Sequence, residues 1–223
     1  MTKSDGYKNK ERIVFNSLSK ENTEESSAGG KNTKRKISGE WSVSMFEEDR
    51  KYTSNTDNSF SRELLKFDGE ALQKMEEDPN QSSVFDGIVH EAYWNIKKDG
   101  TWERKVSYTV NEPYDKHKFT RVETGSWMFY TGVGEYKKHE RIVFTTATIS
   151  EMKEFENNDV QTINYKIELS ETYETVTSKN KTLELALLGN NSYSEINYSN
   201  AAQTGEEIEN GTLITSRKYR LTK

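Results

Sequence analysis

The chain has 223 residues, 31% hydrophobic and 31% charged, and its 37 acidic and 32 basic side chains leave a net charge of -5. That length suits one all-β domain with a tail, and so mild and interspersed an acidity favours solubility over nucleic acid as a partner. With Cys 0, disulfides, thiolate catalysis and zinc-thiolate centres are excluded.

Residues 1–36 read as a polar, flexible leader. Between positions 16 and 36 the text NSLSKENTEESSAGGKNTKRK offers almost nothing to bury, so the entropy of ordering it is not recovered. One phrase stands out: YKNKERIVF at 7–15 returns as YKKHERIVF at 136–144, with seven of nine letters identical. Alternation in ERIVF predicts an extra strand within 7–15, either the remnant of a preceding copy or a spare strand able to pair with an edge of this molecule or a neighbour. One repeated piece does not make a tandem-repeat fold.

The folded domain is expected over 37–223. Its first strand, GEWSVSMF at 39–46, sets Trp41, Val43 and Met45 on one face. In KFDGEALQKMEEDPN, Asp68 suits an N-cap, Leu72 and Met75 suit a short amphipathic helix, and Pro79 stops it, so one helix is expected there as a lid or plug. Next, FDGIVHEAYWNI and TWERKVSYTV flank KKDG, whose Asp99-Gly100 accepts the backbone of a tight turn, predicting a hairpin. Its arms align Ile88, His90, Ala92, Trp94 and Ile96 on one side and Trp102, Arg104, Val106, Tyr108 and Val110 on the other. Further strands are predicted at 121–132, 136–149, 161–170, 181–188 and 211–222, with SYSEIN a weaker one. Eight or nine short strands with tight turns and no parallel βαβ rhythm predict an all-β, antiparallel up-and-down barrel of about eight strands.

Three tryptophans share one spacing: Gly39-x-Trp41, Gly100-x-Trp102 and Gly125-x-Trp127. Each opens a strand, where glycine permits a bend and an indole fills the barrel end. The last strand carries Arg217 in phase with Leu213, Thr215, Tyr219 and Leu221, and closure would bring it beside the first strand, its guanidinium over Trp41. Gly39, Trp41 and Arg217 thus read as the closure of the barrel.

On these residues the chain resembles the lipocalin or calycin superfamily. More narrowly, SGEWSVS, WNIKKDGTWE, ETGSWMFY followed by ERIVFTTATI, and SKNKTLELAL resemble the lipocalin-like domain of envelope lipoproteins of Bacteroidetes-type bacteria. The resemblance covers about residues 37–223. It implies an eight-stranded barrel and a bacterial cell-envelope location, in the periplasm or at the outer membrane, with membrane contact only through an N-terminal lipid anchor. The chain departs from the pattern in lacking a lipobox cysteine.

Candidate chemistry is sparse. The three histidines, at 90, 117 and 139, lack the close spacing of a metal pair, and no cofactor-binding fingerprint or nucleophile elbow appears, so neither metal nor cofactor is expected and the chain reads as non-enzymatic. Arg104 and Arg217 are costly to bury alone; each must meet a carboxylate, an aromatic face, solvent or an anion. His90 is either a hydrogen-bonded core histidine or a ligand contact. A pocket walled by Trp94, Trp102, Arg104, Tyr108, Trp127, Phe129 and Tyr165, with His90, would take a small hydrophobic or weakly anionic molecule. The alternative is an interaction module with a filled barrel, meeting a protein partner through strand edges or residues 7–15.

Overall fold

Aspartate-based turns punctuate the first half of the chain. Asp68 Oδ1 accepts the backbone N–H groups of Glu70 and Ala71 at 3.0 and 2.9 Å. Asp78 Oδ1 repeats this with Asn80 and Gln81 at 2.7 and 3.0 Å. At the predicted hairpin, Asp99 Oδ1 accepts from Thr101 N–H at 2.9 Å. Such side-chain acceptors fix a reversal locally, before any sheet forms.

The computed structural model describes residues 12–14, 36–55, 57, 59–113, 115–130, 140–179, 181–188, 191–199 and 206–223. The linker expected at 16–36 lies outside them apart from Lys36, as do residues 7–11, 15 and 136–139 of the repeated phrase. The strands are β1 Arg12–Val14, β2 Gly39–Ser54, β3 Phe60–Phe67, β4 Leu72–Glu77, β5 Ser82–Ile96, β6 Thr101–Val110, β7 His117–Tyr130, β8 Arg141–Phe155, β9 Val160–Lys179, β10 Thr182–Leu187, β11 Asn191–Ser199 and β12 Glu206–Thr222. All pairings are antiparallel, and β12 joins β2 over Gly211–Thr222 to close a barrel.

Two expectations need correction. The segment expected to be helical forms strand β4, because the Asp68 and Asp78 turns leave only six residues between them, too few for a helix but enough to pair with β3 and β5. The barrel has ten strands rather than about eight. At its start β2 pairs directly with β5, Gly39–Ser42 against Tyr93–Ile96; from Phe46 onward the β3–β4 hairpin is wedged between them. The wall therefore has eight strands at one end and more at the other. Since diameter grows with strand number, the molecule tapers.

Bulges bend the wall along one line. Ala147 is an extra residue against β7, between the pairs Thr124–Thr148 and Gly125–Thr146. On the other side of β8, Ile167 and Glu168 of β9 stand against Ala147 alone. An extra residue kinks its strand and raises the local twist. Gly125 sits on this line because β8 passes so close that a Cβ there would lie 1.9 Å from the Thr145 carbonyl oxygen.

The narrow end is packed solid. Trp94 is 1% exposed and stacks on Trp102 at 5.5 Å, with Phe144 and Tyr219 edge-on at 4.9 and 5.2 Å. Ile96, Ile142, Tyr173, Leu183 and Leu221 complete the filling. Each large apolar side chain so buried contributes about 1.5–3 kcal/mol.

Candidate functional site

Above the aromatic filling lies a chain of alternating charges. Arg104 Nη2 meets Glu123 Oε2 at 2.6 Å, and Arg121 Nε donates to the other oxygen of Glu123 at 2.7 Å. Arg104 Nη1 also donates to the Tyr219 hydroxyl, which donates to Glu48 Oε1 at 2.5 Å. Glu48 faces Arg217 Nε at 3.6 Å, and Arg217 Nη1 binds Glu171, which accepts from Tyr173 at 2.9 Å. Arg104, Arg217, Glu123 and Glu171 are all buried. Buried ions hold their charge only when matched in this way.

The electrostatics follow from the pairing. Burial pushes the Glu48 carboxyl up, but Arg217, Arg104 and Arg50 and the Tyr219 hydrogen bond outweigh it, holding the pKa at about 2. Glu123 is likewise lowered: burial opposes, and Arg104 and Arg121 prevail. Burial raises the Tyr219 hydroxyl well above its ordinary value. It therefore stays protonated and able to donate.

Over this floor opens a cavity of about 250 Å³ at the wide end, lined by Phe46, Leu65, Val106 and Tyr108 among charged groups. Most of its cations are already held. Lys74 pairs with Glu76 and Glu112 at 2.6 and 2.8 Å, Arg121 with Glu151 at 3.1 Å, and Lys153 with Asp115 at 3.6 Å. Arg50 also lines the cavity, and among the described residues it makes no hydrogen bond or ion pair. The Tyr108 hydroxyl, also in the lining, has no hydrogen-bond partner among the described residues. Burial, then Glu63 and Glu48, raise its pKa, so it too presents a proton. Two unengaged donors thus line a concave, partly apolar space. That arrangement can bind and orient an anion.

Of the residues expected to wall a pocket, the structure brings only Arg104 and Tyr108 to this cavity. Trp94, Trp102, Trp127 and Phe129 belong to the filled core. The Trp127 indole donates to the Lys97 carbonyl at 2.8 Å, as a packed indole needs. His90 lies outside the barrel, 2.9 Å from the Thr109 hydroxyl, because the β5–β6 register shifts between Val89 and Glu91 and reverses the alternation that would have turned it inward. Tyr165 is 44% exposed, on the outer half of β9, which beyond the bulge at Ile167 and Glu168 stays paired with β8 but has no strand on its other side among the described residues.

Closure is also built differently from the expectation. The register sets Arg217 opposite Glu48, seven residues beyond Trp41 and so about 23 Å along the strand. Lys223 Nζ lies over the Trp41 ring instead, 4.2 Å from its centre, and donates to the Ser38 carbonyl at 2.9 Å. The Trp41 indole donates to the Ile37 carbonyl at 2.6 Å. Gly39, at φ +134, leaves space for this lysine, since a Cβ would lie 2.9 Å from its Nζ.

Glu48, Arg50, Glu63 and Lys74 were missed as site residues. The first two were hidden by phase: Phe46, Glu48, Arg50 and Tyr52 are out of step with Trp41 and Val43, because Ser44 is an extra residue against β12 and reverses the alternation of β2 beyond it. Among the described residues no cluster of three or more His, Asp or Glu could hold a metal, and no helix is long and apolar enough to cross a membrane. Compared with protein-family models, curated proteins and solved structures, the chain matches none of them.

Proposed function

We propose that this chain is a non-enzymatic, lipocalin-like binding protein of the bacterial cell envelope, and that it holds a small, weakly anionic molecule in the cavity at the wide end. The observation that carries the reading is Arg50, a cation that lines the cavity with no hydrogen bond or ion pair among the described residues, its charge reaching Glu48 only at longer range, in company with the Tyr108 hydroxyl. An anionic group on the ligand would take charge-assisted hydrogen bonds from both. Its apolar part would meet Phe46, Leu65 and Val106. At about 250 Å³ the space is smaller than typical drug-sized pockets of roughly 300–1,000 Å³, which favours a compact ligand. The envelope location rests on the resemblance of residues 37–223 alone.

The test is calorimetric titration with benzoate and succinate, each compared with its neutral amide. At least one acid should bind with its amide weaker, and Arg50→Gln should weaken that acid about tenfold or more, the loss of one charge-assisted contact. Equal binding by Arg50→Gln and the unmodified chain, or no binding by either acid, sinks the reading. A second reading, an interaction module, is favoured by the solid filling of the narrow end and by exposed Val160, Ile163 and Tyr165 on β9.

A further inference from the structure

The wall of the wide end contains one lane with two claimants. β12 carries β10 and β11 on the same side, in line with each other: Ala186 lies opposite Lys218, and Asn191 opposite Ile214. Five residues of the β10–β11 line thus span four of β12, a nearly continuous edge with one residue to spare. Along its first part this edge is paired by β9, with Leu187 opposite Tyr173. Continued at the same register, β9 would next run beside β11 and bring Ile167 opposite Tyr193 and Tyr165 opposite Glu195.

It does not do so. β9 bulges at Ile167 and Glu168 and leaves the line, and from Val160 to Ser170 only its β8 side is paired among the described residues. The vacated place beside β11 is taken by β1, with Arg12 opposite Glu195, Ile13 opposite Ser194 and Val14 opposite Tyr193. β1 runs antiparallel to β11, as β9 does to β10, so the leader strand occupies the lane and the direction that β9 gives up. The Arg12–Val14 that fills it belongs to the repeated phrase, and the matching Arg141–Val143 are strand residues of β8 in this same sheet.

We infer that the outer edge of β11 is a strand-acceptor site with the leader phrase as its resident occupant, and that the outer half of β9 takes the same place when the leader is absent. The two strands need the same row of backbone groups on β11, so they exclude each other. The free half of β9 is suited to the exchange: VQTINYKIELS is rich in β-branched and aromatic residues, with only Lys166 and Glu168 charged. This exchange concerns the wall and stands whether or not the cavity holds a ligand.

Hydrogen exchange on the full chain tests it. In the unmodified protein, peptides spanning 191–199 should exchange slowly and those spanning 161–170 fast. Ile13→Pro, which removes a donor and disfavours a strand at β1, should slow 161–170 about tenfold or more while 191–199 stays slow. An excess of free YKNKERIVF peptide should restore fast exchange at 161–170. Slow exchange across 88–109 shows that the variant is folded. The inference is overturned if Ile13→Pro merely speeds 191–199 and leaves 161–170 unchanged. Should the variant not fold, the unmodified chain decides alone: slow exchange across 161–170 overturns the inference, and fast exchange there beside a slow 191–199 upholds it.

Discussion

Arg104 shows how a side chain that reads as a binding residue becomes part of a floor. It is 6% exposed, bound to Glu123 and to the Tyr219 hydroxyl, and its guanidinium also lies 5.2 Å from the Trp94 ring. Removing one partner of a buried pair leaves the other uncompensated, so Glu123→Gln should destabilise by about 3–5 kcal/mol in urea unfolding. The exposed pair Lys116–Glu156, at 2.7 Å, offers a contrast. Solvent screens it, and Glu156→Gln should change stability by less than about 1 kcal/mol. The two arginines were legible in the sequence because each interrupts an apolar face. Their partners were not: Glu48, Glu123 and Glu171 are three among the 37 acidic residues, and only the register of distant strands brings them in. Arg50 was hidden for the opposite reason, since EEDRKY carries no apolar alternation against which a charge would stand out.

Among the elements, strands with strong alternation were readable and their local irregularities were not. The hairpin around Asp99-Gly100 appears as expected, with Lys97 N–H donating to the Thr101 carbonyl at 2.8 Å. The β3 segment SFSRELLKF was passed over, since Glu63, Leu64 and Leu65 read equally well in either period. Bulges leave no mark in composition, yet one at His90 decides which of Ile88 and Val89 faces solvent: Ile88 is 60% exposed while Val89 packs on the core. Gly125 is the residue at which the bend line can be probed. Gly125→Ala must displace the β8 backbone at Thr145, and a loss of about 1–3 kcal/mol is expected in denaturant unfolding. An unchanged midpoint would mean that the sheet is not bent there.

For the whole molecule, pH reports on the charged floor. Glu48 has a folded-state pKa of about 2 against an ordinary 4.5. A depressed carboxyl contributes stability that is fully present above its unfolded pKa and is lost as pH falls through the folded value. Unfolding free energy should therefore hold steady above about pH 5 and decline between about pH 4.5 and 2. The Glu48 contribution alone is on the order of 3 kcal/mol, and Glu123, lowered in the same sense, adds to the decline. Glu48→Gln should flatten that part of the profile in unfolding measured across pH. The gross architecture was accessible from turn spacing, and the closing pair was named correctly as first and last folded strands. The taper was not, because it depends on β2 changing partner midway along its length.

That change of partner has an engineering consequence. The β3–β4 hairpin enters and leaves the wall between two strands that already meet beneath it. Aperture and seam are therefore separate properties of this vessel. Lengthening or trimming that one gusset would resize the bowl, while the stopper of indoles and the stitch between β2 and β12 stay as they are.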